Sequence, residues 1–141
     1  TTFERYRALK EFQKRKVPTV VWLSPLLPFI NDTDENLRGI LDYCFDADVK
    51  GIVYFGAGLT LREGNREYFY QNLDKYFPGL KERYQKTYGY SYEAMSPNNV
   101  KLTEILTEEC EKRGVLWKIK DCFGYMAELP EKKSGQISFF E

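Results

Sequence analysis

An apolar run, Val20-Val21-Trp22-Leu23, stops at a loop holding Pro25 and Pro28 and enters the acidic stretch Asp32-Thr33-Asp34-Glu35. An unbroken apolar run is the pattern of a parallel strand covered on both faces. The two prolines remove backbone donors and end its ladder. Asp32 followed three residues later by Glu35 has capping-box spacing and predicts a helix N-terminus. Strand, loop and helix in that order point to an α/β fold. In such folds the loops at the carboxyl ends of strands bind ligands, so residues 24–32 form the first candidate site.

The rest of the chain extends this pattern. Residues 3–16 place Phe3, Tyr6, Leu9 and Phe12 at three-residue intervals, a helical spacing, with Lys14-Arg15-Lys16 complementing the dipole of the last turn. Leu37, Ile40, Leu41, Cys44 and Phe45 give residues 33–49 a core-facing stripe. Residues 51–58 read as a second buried strand, completing a right-handed βαβ unit and ending in Gly56-Ala57-Gly58. That turn lacks the third glycine of a dinucleotide fingerprint, since position 61 is Leu. Close approach of this backbone to some other group, or simply a tight turn, explains the glycines better.

Helices are predicted over 61–77 and 80–88, and a further one starting at Ser96 as N-cap with Pro97 in its first turn and ending at Gly114. A third strand over 115–119 and a short amphipathic segment follow. Residues 1–129 thus form one α/β unit, and 130–141 a polar linker with a terminal peptide. The order of elements fits half of a (β/α) TIM-type barrel, or a small open sheet, with three parallel strands and flanking helices. Such a sheet has exposed edges that invite pairing with another chain, as in a homodimer.

Composition excludes several functions. Of the 141 residues, basic and acidic side chains number 21 each, so net charge argues for neither a nucleic acid nor a membrane partner. Histidine is absent, which removes Ser-His and Cys-His triads and His-based zinc sites. Cys44, Cys110 and Cys122 are odd in number and widely spaced, which predicts a reducing, cytoplasmic setting rather than a disulfide framework, and Cys44 and Cys110, on helix faces among Leu and Ile, read as buried thiols. No apolar stretch is long enough to span a membrane. A start at Thr1 without an initiator methionine suggests processing or a fragment.

The helix Thr1-Thr2-Phe3-Glu4-Arg5, the Val17-Pro18 step, and the loop Pro25-x-x-Pro28-x-Ile30-Asn31-Asp32 together resemble the C-terminal half of radical S-adenosylmethionine proteins. Within these the resemblance is to the spore photoproduct lyase-like branch, often labelled DNA repair photolyase. Residues 51–66 are similar to that family's next strand and following helix start. The resemblance implies a partial α/β barrel, S-adenosylmethionine and a 4Fe-4S cluster. It places the cluster ligands in a C-x-x-x-C-x-x-C motif that this sequence does not contain, in an N-terminal half of the barrel. This chain would then supply part of the S-adenosylmethionine pocket through Ser24, Pro25 and Asn31 at the first strand end, and Phe55, Gly56 and Gly58 at the second. Arg62, Glu63 and Arg66 are candidates for the substrate mouth, though charges at a helix start are usually just solvated.

Two further signals remain. Gln136-Ile137-Ser138-Phe139-Phe140 resembles the peptide by which bacterial repair proteins dock on the sliding clamp, with Gln136, Ile137, Phe139 and Phe140 as its contacts. The aromatic-rich stretch 68–92, interspersed with Lys75, Lys81, Arg83 and Lys86, would stack on unpaired bases or form a helical layer over the sheet. The chain is expected to be catalytically inactive by itself; the alternative is a non-catalytic binding domain, homodimeric or specific for nucleic acid.

Overall fold

In the computed structural model, residues 1–128 are described. They form a mixed α/β structure of six helices and two small sheets. Helix α1 (Thr2–Lys14) opens with a true capping box, Thr1 and Glu4 each satisfying the other's backbone donor. It buries no residue fully and hangs on the next helix through the Tyr6–Tyr43 stack and a Tyr6 hydroxyl donating to Asp46.

Strand β1 (Val20–Trp22) pairs in parallel with β2 (Gly51–Val53), Val21 opposite Ile52 and Trp22 opposite Val53. Helix α2 (Asp34–Asp46) makes the crossover between them. The Asp32–Glu35 capping box expected there does not form. Thr33 is the N-cap instead, its hydroxyl accepting from the Asn36 amide, which frees Asp32 for another role.

The second strand also ends earlier than its sequence predicts. After Val53 the chain leaves the sheet, and residues 58–60 form β3 (Gly58–Thr60), antiparallel to β4 (Glu93–Met95). Between these two lie α3 (Asn65–Tyr76) and α4 (Leu80–Tyr88). The helix expected to start at 61 starts at 65, because the Leu61 amide donates to Tyr92 and prolongs the ribbon.

Helix α5 (Asn99–Arg113) begins at N-cap Asn98, not Ser96; the Ser96 hydroxyl accepts from the Asn98 amide in the preceding turn. The third parallel strand shrinks to one bridge, Leu116 beside Gly51, because the chain turns at Lys118 into α6 (Ile119–Ala127). Two parallel strands and a bridge replace the expected three, and the described residues do not by themselves trace out half a barrel.

Two cores result. Leu37, Leu41 and Cys44 of α2 meet Leu102, Leu106 and Cys110 of α5 on one face of the parallel strands, around Ile52. Leu61, Tyr70, Leu73, Tyr84 and Ala94 build a smaller core under the antiparallel ribbon. The aromatic layer read from residues 68–92 therefore covers this ribbon and not the parallel strands. The opposite face of the parallel pair carries Trp22, 57 % exposed, in contact with Phe55 and with Phe123 of α6. No partner strand occupies the outer edge of β1 among the described residues.

Candidate functional site

The carboxyl ends of β1 and β2 open into a cavity of about 530 Å³. Ser24, Pro25 and Leu27 line it from the loop after β1, and Phe55, Gly56 and Gly58 from the chain after β2. The far wall is the ribbon and the start of α3, contributing Thr60, Asn65, Phe69, Glu93 and Met95. The volume lies within the usual range of small-molecule sites, and the lining is aromatic and apolar with a few polar groups.

Five expected site residues, Ser24, Pro25, Phe55, Gly56 and Gly58, thus share one cavity. Asn31 does not. It borders a separate, smaller cavity of about 220 Å³ beneath the loop, which Ser24 and Pro25 also line. Its side-chain oxygen accepts from the Leu27 amide and its carbonyl from the Asn36 side chain, so Asn31 shapes the loop. Gln136, Ile137, Phe139 and Phe140 lie outside the described residues.

The glycines have a steric cause. Gly56 sits at φ +102°, and a Cβ there would lie 2.7 Å from the Met95 methyl and 3.0 Å from Asn99 Oδ1. At Gly58 a Cβ would lie 2.7 Å from the Ala94 carbonyl of the facing strand. Between them, the Ala57 amide donates to Asn99 Oδ1 at 2.7 Å, fixing the turn against α5. Close approach of β4 and α5, rather than a phosphate, explains Gly56-Ala57-Gly58.

The loop after β1 is fixed as firmly. Tyr84 donates to the Pro28 carbonyl at 2.7 Å from within the smaller core. Asp32, 3 % exposed, accepts from the Ser96 hydroxyl, and its carbonyl accepts from the Asn98 side chain. The Ser24–Pro25 peptide bond is cis.

Charge is sparse in the cavity. Among the described residues, Glu93 is the one ionisable side chain in its lining. Of the arginines considered for the mouth, Arg66 donates to the carbonyls of Leu61, Gly89, Tyr90 and Ser91, tying α3 to the turn before β4. Arg62 donates to the Tyr92 hydroxyl. Neither arginine lines the cavity, nor does Glu63.

All three cysteines are buried and free. Burial pushes the Cys44 thiol up to about 12 and Cys110 to about 11, and raises Cys122 as well. Such thiols are poor nucleophiles and poor ligands. Among the described residues, no group of three His, Cys, Asp or Glu side chains converges to hold a metal. None of the described helices is long and apolar enough to cross a membrane.

Thr60, Asn65, Phe69, Glu93 and Met95 were not foreseen as site residues. Their ribbon strands span three residues each, too short for alternation to register, and they pair across a long helical excursion. Comparisons with protein-family models, with curated proteins and with solved structures found no match to this chain.

Proposed function

We propose that this chain is the C-terminal part of a radical S-adenosylmethionine enzyme, of the spore photoproduct lyase-like kind, and forms one wall of its S-adenosylmethionine pocket. A DNA-lesion lyase working in the cytoplasm is the activity proposed for the whole enzyme. The observation that carries the reading is the convergence of two separate strand ends, at Ser24-Pro25 and at Phe55-Gly56, on one cavity. The open edge of β1 and the uncovered Trp22–Phe55–Phe123 face support a second body of protein there, an N-terminal half of the barrel.

The residues present fit the nucleoside part of the cofactor. Phe55 offers an exposed ring and Ser24 a hydroxyl, with the backbone at Gly56 and Gly58 completing the lining between them. They do not fit the 4Fe-4S cluster, since the thiols of this chain are buried in its cores. The cluster belongs in this proposal to the other half, where it would supply reductive cleavage of the sulfonium. The role of this chain is to bind, orient and exclude water.

Calorimetric titration of the chain with S-adenosylmethionine tests the reading. Binding is expected, weakened at least about fivefold by Phe55→Ala, whose exposed ring contributes little to folding. An absence of binding, or full affinity in the variant, removes the assignment.

The second reading is a homodimeric, non-catalytic α/β domain, favoured by the same open edge and aromatic face. Sedimentation of a stable dimer that Trp22→Glu dissociates would support it over the first. For a nucleic-acid role of the Tyr-rich stretch, Tyr70 and Tyr84 are taken up by the core, and Tyr68, Tyr76, Tyr90 and Tyr92 are the exposed rings left to stack on bases. Sliding-clamp docking by the terminal peptide remains a separate proposal.

A further inference from the structure

The far wall of the cavity has a chemistry of its own. In the antiparallel ribbon, Leu59 stands opposite Ala94, Thr60 opposite Glu93, and Gly58 opposite Met95. Ala94 is buried in the smaller core and Leu59 borders both that core and the cavity, while strand alternation turns Gly58, Thr60, Glu93 and Met95 to the cavity face. Directly opposed residues of such a pair hold their Cβ atoms about 5 Å apart, which makes the Thr60 and Glu93 side chains neighbours on that face.

That carboxylate is unopposed. Among the described residues no cation lies within ion-pair distance of it. The nearby arginines of the same excursion, Arg62 and Arg66, are engaged with Tyr92 and with backbone carbonyls. Phe69 and Phe55 supply aromatic surface within the same cavity. A carboxylate flanked by a hydroxyl and by aromatic faces attracts a positive group on both counts, as an ion pair and over a ring. An anion placed there would meet repulsion, with no basic side chain in the lining to offset it.

We propose that the ribbon wall is the substrate side of the cavity, that it takes a ligand bearing an amine, amidine or comparable cation, and that Glu93 selects it. The proposal deepens the reading above and rests on it only for assigning the strand ends to the cofactor. It makes the excursion from β3 to β4 the specificity element, as loops beyond strand ends are in barrel enzymes.

Three probes of nearly equal size and shape separate charge from shape: benzamidine, benzamide and benzoate. Titrated into the isotope-labelled chain, benzamidine is expected to shift the amide resonances of Thr60, Glu93 and Phe69. Its affinity should exceed that of benzamide by about fivefold, the worth of a good exposed ion pair. Benzoate should bind more weakly than benzamide. Glu93→Gln leaves the fold intact, since the side chain is exposed, and should abolish the preference. Salt should shrink it in the wild-type chain.

Equal affinity for benzamidine and benzamide, or a preference that survives Glu93→Gln, overturns the proposal. S-adenosylmethionine, titrated separately, distinguishes the two claims. A response at Ser24 and Gly56 without benzamidine selectivity removes the cation-selective wall and keeps the cofactor reading. Glu93-dependent selectivity without that response does the reverse.

Discussion

Asp32 and Ser96 are 64 residues apart, yet both are buried and joined by a hydrogen bond that ties the proline loop to the turn entering α5. Ser96→Ala would leave that carboxylate short of a partner and should cost about 1–3 kcal/mol in chemical denaturation. Asp32→Ala should cost a similar amount, and the double variant less than the sum, since the two act as a unit. Gly56 makes a different demand. Gly56→Ala imposes both a left-handed φ and a clash with Met95, a loss of about 2 kcal/mol. Met95→Ala in the same chain should relieve only the clash, so partial recovery is the expected result. The thiols give a pH signature. Cys44 rises from an ordinary 9.0 to about 12 on folding. The folded chain therefore holds that proton more tightly, and its contribution is complete below about pH 9 and lost as pH climbs toward 12. Urea midpoints should fall as pH rises from about 9 toward 12, and a thiol reagent should label the native chain only as fast as it opens.

At the scale of elements, the two cores predict two degrees of protection. Leu106→Ala in α5 removes a side chain 1 % exposed and should destabilise the whole unit by about 2–5 kcal/mol. Leu73→Ala in α3 should loosen the ribbon first. Hydrogen exchange should quicken at the Leu61 and Ser96 amides, which bond across the ribbon, before it quickens at Ile52. Uniform quickening at all three would show one cooperative unit instead. Sequence periodicity was informative where elements are long. The stripe of Leu37, Leu41 and Cys44 is the buried face of α2. It misled at helix starts, where Asp32 and Ser96 have the spacing of caps but are bound to each other. It was silent on the ribbon, because three-residue strands paired across two helices leave no local trace.

For the molecule as a whole, the site divides along the same line. On the strand-end side of the cavity, prolines after an apolar run mark Ser24-Pro25 as the end of a strand, while Phe55, Gly56 and Gly58 are positions that the resemblance implies. The ribbon half, Thr60, Phe69, Glu93 and Met95, was not legible in the sequence, because only folding brings it opposite. Asn31 belongs to the same loop as Pro25 but borders the smaller cavity, and its hydrogen bonds run to Leu27 and Asn36. Among the described residues, the outer edge of β1 carries no partner strand, and the exposed Trp22 and Phe55 rings lie beside it. The central claim is that two strand ends and their cavity hold a nucleoside sulfonium, and amide chemical-shift mapping with S-adenosylmethionine tests it most directly. Perturbations clustered at Ser24, Phe55, Gly56 and Gly58 are the predicted result. Perturbations confined to the Tyr-rich helices, or none at saturating ligand, would contradict it.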